Sequence, residues 1–135
     1  MSWVANVMVQ ADEEDTPSLV ALSEWLENDA PWNGPSVPPD ATGVGFLRPI
    51  TEPDRNQWGG WKHPECNLWA GALNHADLDA VRVRVQETAW KQPNVVQLFL
   101  MDQEEWYFRL WMLRDGELRQ YAPTVPDEND KGFLR

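Results

Sequence analysis

Between Trp58 and Ala89 the chain changes its repeat. Cys66 to Leu73 alternates with a period of two: Cys66, Leu68, Ala70 and Ala72 share one side, Asn67, Trp69, Gly71 and Leu73 the other. After Asn74 the apolar positions move to Leu78, Val81, Val85 and Ala89, the spacing of one helix face. Val81 to Val85 also alternates as a strand would, but Asn74 as an N-cap, with Asp77 three residues on, agrees with the helical reading. A strand that runs straight into an amphipathic helix commits the chain to a mixed architecture. The same stretch holds three of the nine tryptophans, both histidines and the only cysteine, so a chemical site would draw on it.

The N-terminal third repeats that strand-to-helix change. Trp3 to Val9 reads as a strand with apolar residues on both faces and Asn6 as the polar exception. The acidic run Asp12 to Asp15 faces the start of a helix, where Thr16 is the expected N-cap and Pro17 occupies the tolerated first position. Leu19, Leu22 and Leu26 then recur at helical spacing, predicting a helix over 17–29 that Pro31 ends. Residues 31–45 are a Pro/Gly-rich connection, and 45–50 a short strand that Pro49 confines to an edge.

Later strands are expected over 95–101 and 106–113. Asp115-Gly116 marks a two-residue turn, and a polar edge strand over 117–121 follows it. The resulting order predicts an α+β domain over 1–122: a ferredoxin-like βαββαβ antiparallel sheet with two helices on one face, extended by a C-terminal β-hairpin. Residues 123–135 read as an acidic, Pro-containing tail. The sheet face away from the helices carries Val4, Met8 and further apolar side chains, so a homodimer through it, or a loop folded over it, is expected.

Charge narrows the function classes. The 135 residues contain 11 Lys and Arg against 22 Asp and Glu, a net charge of −11, which weighs against nucleic acid and suits a basic protein partner. No apolar run has the length of a membrane span, and the N-terminal stretch lacks the pattern of a signal peptide. A lone Cys66 excludes an intrachain disulfide, and a cytoplasmic home is expected.

Three candidate constellations stand out. His63, Cys66 and His75 offer zinc-type ligands, but at no recognised spacing, so no metal is assigned. Nothing marks Cys66 as an activated nucleophile. Asn6, Trp69 and His75 resemble, in kind and order, the asparagine, tryptophan and histidine of the haem-degrading enzymes, which with small monooxygenases are found among dimeric ferredoxin-like proteins. That likeness implies a pocket between sheet and helices, as the alternative to a non-catalytic role. No phosphate-cradling glycine loop, serine elbow or CxxC is present, and no cofactor is expected.

The remaining signal is aromatic. Trp3, Trp106 and Trp111 are assigned to the core. Trp32, Trp58 and Trp61 lie in Gly/Pro-rich loops, where large rings are hard to bury. Loop aromatics beside charge are typical of binding hot spots, so Trp32, Trp58, Trp61, Lys62 and His63 are the expected partner-binding residues. An immunity- or inhibitor-type role toward a basic protein would fit the charge.

Overall fold

The computed structural model describes residues 3–34, 38, 40–55 and 57–121; the tail assigned to 123–135 lies outside them. The elements in order are β1 (Val4–Gln10), α1 (Thr16–Asn28), β2 (Arg48–Pro49), β3 (Leu68–Asn74), α2 (Leu78–Glu87), β4 (Gln97–Asp102), β5 (Arg109–Arg114) and β6 (Glu117–Tyr121). The strands form one antiparallel sheet in the order β2-β3-β1-β4-β5-β6.

Register fixes the two faces. Val7 stands opposite Gly71 on one side and Leu100 on the other, while Val9 stands between Trp69 and Leu98. These positions are buried with Leu19, Leu22 and Leu26 of α1 and Val81 and Val85 of α2, so both helices cover this one face. The β-branched run in α2 is helical because Val81 and Val85 reach that core while Val83 points out, 51% exposed. Alternate residues, among them Met8, Ala70, Phe99 and Met112, lie on the opposite face, where they are half-buried.

Several local expectations need correction. Asp77, not Asn74, caps α2, accepting from the N–H groups of Asp79 and Ala80 at 3.1 and 3.3 Å. Asn74 is spent as the last residue of β3, and His75 turns the chain with φ 56°. The acidic run makes its own 3-10 turn, Glu13–Asp15, capped by Asp12, so α1 starts at Thr16 rather than being capped by it. The strand expected from 106 starts at Arg109, because Glu104 and Trp106 both have positive φ and extend the turn after β4. That conformation leaves Trp106 88% exposed, and Trp3 is 39% exposed, so neither belongs to the core. Trp111 does pack against it.

Candidate functional site

The segment between β2 and β3 is held at both ends and open in the middle. Gly71 admits the backbone of Phe46, whose carbonyl oxygen would stand 2.3 Å from a Cβ at that position. Ser23 of α1 clamps the next residue, its hydroxyl accepting from Leu47 N at 2.9 Å and donating to Leu47 O at 3.0 Å. Ile50 N donates to Leu68 O at 2.9 Å, and Leu68 N donates to the buried Thr51 hydroxyl at 3.1 Å. On the return side Ala11 N donates to Asn67 O at 3.2 Å. The loop therefore leaves and rejoins the sheet at fixed points on its β2 edge.

Between those points nearly every described residue is solvent-exposed. Trp58 is 48% exposed and Trp61 103%, with Lys62 and His63 exposed beside them. A Cβ added at Gly59 or Gly60 would meet no described atom within 4 Å, and Gly60 has φ 100°, which a bulkier residue would resist. The glycines thus allow the ring of Trp61 to be carried clear of the domain. A tryptophan side chain that buries ~200 Å² forgoes about 5 kcal/mol of hydrophobic stabilisation when left in water. A groove of about 450 Å³ lined by Arg48, Pro49, Ile50, Glu52, Arg55 and Gln57 adjoins the start of the loop.

The other expected site residues do not gather here. Trp32 lies at the far end of β3: it stacks on His75 with ring centroids 5.0 Å apart and donates through Nε1 to Gly43 O at 2.6 Å. That indole is a structural prop for the 31–45 connection. Asn6, Trp69 and His75 do not form a pocket. Asn6 pairs with Ala72 on the open face, whereas Trp69 is buried on the helix face with its Nε1 donating to Asn67 at 3.1 Å. The odd–even offset between Asn6 and Trp69 across the β1–β3 ladder forces them apart.

His63 and Cys66 precede β3 and His75 follows it, so a seven-residue strand, roughly 20 Å long, separates them. Among the described residues no group of three or more His, Cys, Asp or Glu is placed to hold a metal ion.

Sequence reasoning missed a second concavity, of about 350 Å³, at the opposite end of the sheet. Trp3, Asp79, Arg82, Asp102, Glu105 and Arg109 line it together with Trp111. Asp77 lines it as well, so four carboxylates face two guanidinium groups. Trp3 Nε1 donates to Asp102 at 2.6 Å, Arg109 Nε to Glu105 at 2.8 Å, and Arg82 pairs with Asp79 while lying over the Trp111 ring at 4.7 Å. Burial lowers the Arg82 pKa, while the hydrogen bond to Glu105 raises that of Arg109. These residues come from five separate segments, and no local motif could have announced them. Arg82 and Arg109 are each held by a carboxylate, and these contacts brace the end of the sheet.

Among the described residues no helix is long and apolar enough to cross a membrane. Comparison with protein-family models, curated proteins and solved structures finds no match to this chain.

Proposed function

We propose that this domain is a non-catalytic binding module that engages a partner protein through the 57–63 loop, with Trp58 and Trp61 as anchors and Lys62 and His63 beside them. The observation that carries this reading is the complete exposure of Trp61 on a loop whose two ends are hydrogen-bonded to the sheet edge. Anchoring at both ends limits the entropy lost on binding, and an aromatic ring supplies most of the energy at such contacts. The net charge of −11 favours a basic partner by speeding encounter and disfavouring acidic competitors. An inhibitor or immunity protein has this character, and a cytoplasmic home suits a chain with a single thiol.

On this reading the strand order β2-β3-β1-β4 is a ferredoxin-like βαββαβ core, and β5 with β6 is a hairpin added at the β4 edge. The added strands widen the sheet on the side away from the Trp58–Trp61 loop.

A photo-crosslinking amino acid placed at position 61 tests the proposal in cells. It should capture a specific protein that the same group at buried position 90 does not. Indistinguishable products from the two positions would overturn it.

A further inference from the structure

The sheet face away from the helices is uncovered among the described residues, and its composition is unlike the rest of the molecule. Register places Ala70, Met8, Phe99 and Leu110 side by side on it as an apolar row across four strands; Leu68 and Met112 lie in the next row with the uncharged Gln10 and Gln97 between them, and Asn6 lies in the row on the other side. The four strands β3, β1, β4 and β5 bring no Asp or Glu to this face, although the chain contains 22 such residues. Charge appears only toward the margins, as Arg48 on β2, Arg114 on β5, and Glu117 with Arg119 on β6.

We infer that this face is where two copies of the chain meet, sheet against sheet. A basic partner would seek carboxylates, which the four central strands do not bring to this face. A second copy carries the same charge of −11 and can approach closely only where that charge is absent. The strands, two residues long in β2 and five to seven in the others, give at ~4.8 Å spacing and ~3.3 Å per residue a face of roughly 500 Å² in projection, and side-chain relief brings its accessible area toward the ~800 Å² each partner buries in a standard interface. Methionine and phenylalanine are residues that such interfaces favour. The two loops bearing Trp61 lie at the sheet edges, so this contact leaves them accessible and is independent of the partner-binding proposal.

Sedimentation equilibrium of the full chain at micromolar concentration should give the mass of two chains. Phe99→Glu and Met112→Glu, both on the uncovered face, should each weaken association by at least 100-fold while the far-ultraviolet dichroism stays unchanged. Trp61→Ala should leave the mass at two chains. Raising the salt concentration should tighten association, since it screens two like-charged bodies. If the glutamate variants do not fold, the wild-type melting temperature decides, because only a dimer melts higher as protein concentration rises. A one-chain mass at every concentration, a melting temperature independent of concentration, or an intact dimer in folded Phe99→Glu would overturn the inference.

Discussion

Gly71 stands at the middle of β3 directly beneath the carbonyl oxygen of Phe46, and no side chain fits between them. That contact lays the segment before β2 across the sheet and so sets where the Trp58–Trp61 loop begins. Gly71→Ala should force this segment off the sheet and destabilise the domain by about 2 kcal/mol, the usual scale for overpacking a filled site. Urea denaturation would measure it, and a change below ~0.5 kcal/mol would contradict the contact.

Asp15 makes the longest-range polar link to the start of α1. Its carboxylate is 1% exposed and accepts from Lys91 N at 2.7 Å and Gln92 N at 3.0 Å. Asp15→Ala strands both donors and should cost roughly 3 kcal/mol, with Asp15→Asn, which keeps one acceptor, costing less. Equal stability of all three proteins in chemical denaturation would show the link to be dispensable.

The tryptophans divide by what their indole N–H groups meet. Trp90 Nε1 donates to Val85 O at 2.8 Å and Trp32 Nε1 to Gly43 O at 2.6 Å. Trp111 Nε1 is buried with no partner among the described residues. Phenylalanine at position 32 or 90 should therefore cost about 1–2 kcal/mol, whereas Trp111→Phe loses an unsatisfied donor and should fall within ~1 kcal/mol of wild type. Thermal unfolding of the three variants side by side tests the ordering.

Trp61→Ala should change stability by less than about 0.5 kcal/mol, as expected for a fully exposed side chain, and Trp58→Ala, at a residue 48% exposed, by about 1 kcal/mol. Their effect on partner binding should be larger, about 2 kcal/mol each, or some 30-fold in affinity. Destabilisation of either variant comparable to that of a core truncation would place its ring in the fold rather than at a binding surface.

What can be read from the chain is what repetition encodes. The spacing of Leu19, Leu22 and Leu26, and of Val81 and Val85, marks both helices, and Asp115-Gly116, whose φ values are 54° and 79°, marks the turn between β5 and β6. The exposed aromatics at 58 and 61 are legible because the adjoining Gly59 and Gly60 offer no side chain to pack them against the domain. Burial of individual tryptophans is not legible. Trp3 and Trp106 look like strand residues in sequence, yet one sits at the exposed start of β1 and the other in a left-handed turn. Trp32 and Asp15 owe their roles to partners 43 and 76 positions away, His75 and Lys91, and separations of that size leave no local trace.

The central claim is that Trp58 and Trp61 present a surface for another protein. Its most direct measurement is quantitative capture from an extract of the source cells, on immobilised full-length wild type and on the Trp58→Ala/Trp61→Ala double variant in parallel. The expected result is a protein enriched at least tenfold on the wild type, eluted by salt and absent from the variant. Equal recovery of every protein on the two would contradict it.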